Sequence, residues 1–206
     1  LGVRCALPAL AHHTLLPAND WAGAFATVAR PGRGLPATPS LYIGMPSATD
    51  DAVAPPGDES LFVLVPVAAD PGIGRGGIGG AGDARVEAFV DRVIAQIADW
   101  TGTPDLADRI VVRRTVAPGD FAADLRSWSG SALGPAHTLR QSAFLRAGNA
   151  SRRVSGLFYA GSSTIPGIGV PMCLISAELV LKRLRGDRSA SPLTPPLAAG
   201  PPGAAA

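Results

Sequence analysis

Residues 157–185 constrain this chain more than any other stretch. Four apolar residues (LFYA) run into GSSTIPGIGVP, and an amphipathic segment follows at once. Gly161, Gly167 and Gly169 free the backbone there, while Pro166 and Pro171 fix it. The pattern predicts a strand over 157–160, a loop whose N–H groups can approach a ligand closely, and a helix over 171–185 with proline in its first turn. The start of such a helix carries roughly half a positive charge. It therefore suits an anion or an electron-rich ring, although an ordinary strand–turn–helix corner has the same composition.

The rest of the chain bounds the possibilities. The longest apolar run, 61–69, holds nine residues and Pro66, whereas a membrane helix needs about 20. Two cysteines, Cys5 and Cys173, exclude a disulfide scaffold and a cysteine-rich zinc module. A net charge of +2 argues against a nucleic-acid partner. Charge is nonetheless split: residues 51–124 hold 12 acids and 6 bases, and residues 125–185 hold 8 bases and only Glu178. The basic part can face an anion, or the two parts can be solvated faces of opposite sign. The first residues lack the pattern of a signal peptide, and a chain starting at Leu1 is expected to be a processed product or a fragment.

Periodicity places further elements. Residues 41–45 (LYIGM) and 60–67 (SLFVLVPV) are expected strands, joined by a turn-rich connection. Residues 84–100 are an expected helix, with Val86, Phe89, Val90, Val93, Ile94 and Ile97 on one face. Residues 109–115 are an expected strand and 120–126 a short helix. Residues 187–206, rich in Pro, Ala and Gly, are expected to be a disordered tail.

Residues 72–82 (GIGRGGIGGAG) fit G-x-G-x-x-G in three registers between an apolar strand and a helix. Asp70-Pro71 precedes the first glycine, and the next strand ends in Arg113 and Arg114 instead of an acid. We read a flexible surface loop here, with a nucleotide module as the competing function. No G-x-S-x-G occurs, and His12, His13 and His137 lack partners at metal-ligand spacing, so no metal is expected.

One ligand suited to a loop like 161–171 is a flavin ring, and four ordered motifs make that specific. The loop has the form G-x-x-T-x-P-G-x-G-V-P, its fixed positions filled by Gly161, Thr164, Pro166, Gly167, Gly169, Val170 and Pro171. It resembles the C-terminal signature of the bacterial phytoene desaturase family of FAD-dependent carotenoid oxidoreductases. Residues 130–146 (GSALGPAHTLRQSAFLR), 46–67 (PSATDDAVAPPGDESLFVLVPV) and 10–16 (LAHHTLL) resemble further segments of that family, in order. The departures are Ile165 where many members have His, Ala177 where many have Gly, and an apparent insertion at 72–82.

The resemblance implies an α/β fold, the C-terminal part of a two-domain FAD-dependent oxidoreductase. Residues 1–127 would carry part of a substrate domain with a mixed sheet, and residues 128–186 the strand, loop and helix that close the flavin site. The family's ADP-binding half would be the missing N-terminal partner. FAD would be the cofactor, held by Gly161, Ser162, Ser163, Thr164, Gly167, Gly169, Val170, Pro171 and Met172. The substrate would be a hydrophobic polyene, with His137, Gln141 and Arg146 near it, and the reaction dehydrogenation by hydride transfer to flavin. The enzyme would be cytoplasmic and transiently associated with a membrane surface, with Arg146, Arg152 and Arg153 facing anionic lipid. Phe144 and Leu145 are expected in the core. A non-catalytic remnant, or a split subunit needing the ADP-binding half, is the alternative.

Overall fold

The computed structural model describes residues 1–30, 32 and 34–193. These residues form two compact units, Leu1–Ala132 and Leu133–Ala206, the second described as far as residue 193.

Among the described residues the first unit carries two three-stranded sheets and four α-helices. The strands are β1 (Gly2–Val3), β2 (His13–Leu16), β3 (Leu41–Gly44), β4 (Glu59–Ser60), β5 (Phe62–Leu64) and β6 (Ile110–Val112). The helices are α1 (Trp21–Val28), α2 (Ala84–Thr101), α3 (Leu106–Arg109) and α4 (Pro118–Leu125). One sheet runs β4-β1-β6 and the other β2-β3-β5. Every pairing is antiparallel, so the mixed sheet expected from the resemblance is not what these residues build.

Helix α2 follows its apolar period. Val86, Phe89, Val93, Ile94 and Ile97 are buried, and Val90 packs at the margin of the core. Gly102 ends the helix in the left-handed region, at φ 66°, and donates to the Ala98 and Asp99 carbonyls. The α2 face meets Val3 of β1, Leu41 and Ile43 of β3, Leu61 and Leu106 in one cluster. Each such side chain contributes about 1.5–3 kcal/mol of burial.

The strand expected over 60–67 is two strands. Leu61 is buried and donates its N–H to the Leu1 carbonyl, and the chain changes sheets there. Glu59–Ser60 pairs with β1, and Phe62–Leu64 pairs with β3. The strand expected over 109–115 shortens to β6, because Arg109 already ends α3. Arg114 then makes an isolated bridge with Ile78.

The glycine-rich loop 72–82 is tied down. The Arg75 N–H donates to Asp83 Oδ2 at 2.7 Å and the Gly76 N–H to Asp120 Oδ2 at 2.7 Å. Gly79 donates to the Arg113 carbonyl at 2.8 Å and Gly82 to Glu87 Oε1 at 3.2 Å. A Cβ on Gly76 would collide with the Thr115 backbone. Burial opposes ionisation of Asp120, but the Ala117 and Gly76 amides and the Arg75 guanidinium outweigh it and hold the carboxyl below its usual range. The flexible surface loop expected from composition is corrected: neighbouring carboxylates and carbonyls occupy those amides.

The second unit has one long helix, α5 (Val170–Arg185), closed by Gly186 at φ 67°. The strand expected over 157–160 reduces to one bridge, Ala150 with Phe158. The Ser151 N–H donates to the Leu157 carbonyl and the Tyr159 N–H to the Asn149 carbonyl, but no further strand extends the pairing among the described residues. A short apolar run needs such a ladder to become a strand. The buried polar and charged residues of this unit are Arg146, Asn149, Thr164, Ser176 and Lys182, and none of its apolar side chains is buried among the described residues. Phe144 and Leu145, expected in the core, are 95% and 58% exposed. Of the expected tail, residues 187–193 include Ser189 and Ser191, whose carbonyls accept from Lys182, and Leu193, whose N–H donates to Glu178. Residues 194–206 lie outside the described residues.

Candidate functional site

The segment from Gly161 to Met172 is held from behind by three groups. The Gly161 N–H donates to Ser176 Oγ on α5 at 3.1 Å. Thr164 is buried, and its hydroxyl donates to the Ala147 carbonyl at 2.8 Å. The Ile165 N–H donates to that same carbonyl at 3.0 Å. Arg146 completes the anchor: Nε donates to the Thr164 carbonyl at 3.0 Å, Nη2 to the Ser162 carbonyl at 2.5 Å, and Nη1 to the Gln141 carbonyl at 3.4 Å. Its partners are main-chain carbonyls alone, and the residue is 5% exposed. Arg146 is thus directed into the protein and away from any lipid surface, whereas Arg152 and Arg153 are exposed.

The front of the loop is differently built. Gly167 and Gly169 have φ of 153° and 104°, where a side chain would be strained. The Ile165–Pro166 peptide is cis. Cys173 donates to the Gly169 carbonyl and starts the intrahelical ladder. Among the described residues, no protein group accepts from the amides of Gly167, Ile168, Gly169, Val170 or Met172. Pro171 has no N–H to leave unpaired, which suits it to this turn. Val170 is 76% exposed and Pro171 is exposed beside it, so the start of the helix is open, whereas Gly167 is buried. Met172 is half-buried.

The structure brings residues 134–141 onto this loop. A Cβ on Gly167 would lie 3.5 Å from His137 Cε1, so the imidazole rests against the glycine. A Cβ on Gly134 would lie 3.3 Å from Ser163 Oγ. His137 and Gln141 are exposed, and the Gln141 carbonyl accepts from Arg146. Ser176 and Ala147 escaped sequence reasoning. The only signal for Ser176 was a small polar residue on an apolar helix, and a carbonyl such as that of Ala147 has no signature.

This arrangement offers a row of amide donors, the positive end of a helix and two glycines without Cβ atoms. It fits an electron-rich carbonyl edge of a planar ring. In the loop 72–82 the Arg75, Gly76, Gly79 and Gly82 amides are already taken up by Asp83, Asp120, the Arg113 carbonyl and Glu87. Among the described residues no group of three His, Cys, Asp or Glu is placed to hold a metal ion, and no helix is long and apolar enough to cross a membrane.

No family model matches the chain. Curated relatives do. It is 45% identical over 187 residues to a carotenoid 3,4-desaturase of Haloarcula japonica, covering 91% of this chain and 36% of that protein. It is 36% identical over 188 residues to a zeta-carotene-forming phytoene desaturase of Myxococcus xanthus, covering 89% and 34%. It is 32% identical over 176 residues to a 4,4'-diapophytoene desaturase of Staphylococcus aureus, covering 85% and 34%. The chain thus spans about a third of the length of these relatives.

Proposed function

This chain belongs to the phytoene and carotenoid desaturase family, and we propose that it supplies the part of an FAD-dependent carotenoid or related isoprenoid desaturase that closes the flavin site. The observation that carries this reading is the row of unpaired amides from Gly167 to Met172, open at the start of α5. Those amides would hold the electron-rich edge of the flavin ring, with Gly169 allowing it close. Val170, Pro171 and Met172 would lie beside the ring, with Gly161, Ser162 and Ser163 forming the approach to it. Thr164 and Arg146 act from behind, fixing the carbonyls so that the amides keep their direction. When bound, the flavin supplies the hydride acceptor that removal of hydrogens from adjacent polyene carbons requires. His137 and Gln141, exposed beside the loop, would border the substrate.

The ADP portion of the cofactor requires a partner segment, the family's ADP-binding half. A specific observation favours that dependence: no apolar side chain is buried among the described residues of the second unit. The same observation supports the reading that these residues alone are inactive. Arg152 and Arg153 would meet anionic headgroups during transient association with the cytoplasmic membrane surface, from which an apolar substrate is drawn.

The test uses the enzyme completed by its ADP-binding half, with Gly167→Val and Gly169→Val. Both variants are expected to fold, to purify with less than a tenth of the FAD and to lose desaturation. Full FAD content with wild-type turnover in both would refute the reading.

A further inference from the structure

Helix α5 starts at the amide row, yet its buried residues are Ser176 and Lys182. Leu174, Leu181 and Leu184 are exposed. Helices in proteins are ordinarily held by an apolar face packed on a core. Among the described residues, polar ties take that place on α5. The Gly161 N–H donates to Ser176 Oγ, and Arg183 Nε donates to Asn149 Oδ1 at 3.0 Å. Asn149 is buried, so this second bond is shielded from water.

A third tie comes from the residues after the helix. The chain turns at Gly186, the Asp187 N–H donates to the Lys182 carbonyl at 2.9 Å, and residues 188–193 run back along α5. Lys182 Nζ donates to the Ser189 carbonyl at 3.1 Å and to the Ser191 carbonyl. The Leu193 N–H donates to Glu178 Oε1 at 2.6 Å. Residues 189, 191 and 193 alternate, as on one edge of an extended chain. Glu178 and Lys182, one turn apart and 3.7 Å from each other, therefore grip that edge by its main chain alone. Residues 188–192 are exposed, so no apolar burial holds them. Lys182 is the single lysine of the chain and is 7% exposed. A buried ammonium is costly unless it is fully bonded. Lys182 thus has two good arrangements, bonded beneath these residues or swung out into water.

We propose that residues 187–193 are a releasable strap on α5, with Lys182 as its catch, and that the strap sets how firmly α5 holds the amide row at its start. The proposal rests on the flavin-site reading above and adds a control over that site. With the strap closed, α5 is fixed from Glu178 to Gly186 as well as at Ser176. With it open, Lys182 returns to water and the last turns of α5 fray, because local opening starts where few contacts hold the chain. The helix then pivots on Ser176 and Arg183 alone, and the amides at its start lose their fixed direction. The grip uses carbonyls and an amide, so the side chains of Ser189 and Ser191 are not needed for it.

The test uses the enzyme completed by its ADP-binding half. Lys182→Met removes the catch, and Leu193→Pro removes the N–H that Glu178 accepts. Ser189→Ala with Ser191→Ala is the control, since it leaves every main-chain partner in place. Hydrogen exchange is read at the Asp187 amide and along residues 181–185, and FAD binding is read by titration and by the flavin absorption band. Both opening variants are expected to exchange about tenfold faster at those amides, with Val93 and Ile97 in α2 unchanged. Both are expected to raise the FAD Kd at least about fivefold and to shift the band, while the serine control matches wild type. Unchanged exchange in either opening variant overturns the clamp, and so does a serine control that behaves like Lys182→Met. Faster exchange with unchanged FAD Kd and band overturns the strap's hold on the site. Wild-type enzyme that binds no FAD overturns the flavin reading itself, whereas wild-type binding with indifferent variants overturns only the strap.

Discussion

Replacing Arg146 by methionine should release the loop that carries the amide row. The guanidinium makes two short bonds to carbonyls, at 3.0 and 2.5 Å, and a third at 3.4 Å. A hydrogen bond from a charged donor contributes about 1.5–3 kcal/mol, so the two short ones contribute about 3–6 kcal/mol. Burial of the cation offsets part of this, because its desolvation costs several kcal/mol. We expect a net loss of about 2–4 kcal/mol for Arg146→Met. Arg146→Lys should lose about half as much, because an ammonium cannot fork between the Thr164 and Ser162 carbonyls. The assay is hydrogen exchange across a urea series. The Ile165 amide, which donates to the Ala147 carbonyl, should exchange about 30-fold faster or more in the methionine variant, since about 1.4 kcal/mol is tenfold. Val93 and Ile97 amides in α2 should keep their rates. Unchanged exchange at Ile165 in Arg146→Met would refute the anchoring role.

Three more outcomes follow from other parts of the molecule. Asp120 is held below its usual range, so its contribution to stability is present above about pH 3.9 and is lost as pH falls below that. Asp120→Asn should therefore cost about 2–3 kcal/mol at neutral pH, with the gap to wild type closing in acid denaturation scans. Phe89→Ala opens the face of α2 that packs on both sheets and should cost about 3–5 kcal/mol by urea unfolding. Ser176→Ala removes the acceptor of the Gly161 N–H and should cost about 1 kcal/mol, with faster exchange at Gly161 as the readout.

Much of the first unit could be read in the sequence, because its signals are local. Helix α2 has its apolar residues at spacings of three and four and a glycine just past its end, and both fix it without help from distant residues. The loop 161–171 was equally legible, since glycines at positive φ and a proline at the start of α5 are demands of the local backbone. Apolar runs were less informative. LFYA and SLFVLVPV have similar composition. One finds only a single bridge, and the other serves two sheets because Leu61 turns inward to the Leu1 carbonyl. Strand identity depends on which partner arrives, and that partner is remote in sequence. The loop 72–82 shows the same limit: its glycines gave no hint that Asp83, Asp120 and Glu87 would take up its amides. Arg146 looked like a surface base, and only the fold shows three carbonyls converging on it.

The central claim, that this chain closes a flavin site whose ADP contacts lie elsewhere, is tested most directly by titrating FAD with the ADP-binding half, with and without this chain in trans. We expect weak binding by the chain alone, binding by the ADP-binding half alone, and at least tenfold tighter binding with a shifted flavin absorption band when both are present. Tight one-to-one binding of FAD by these 206 residues alone, or no change in affinity and spectrum on adding them, would contradict it.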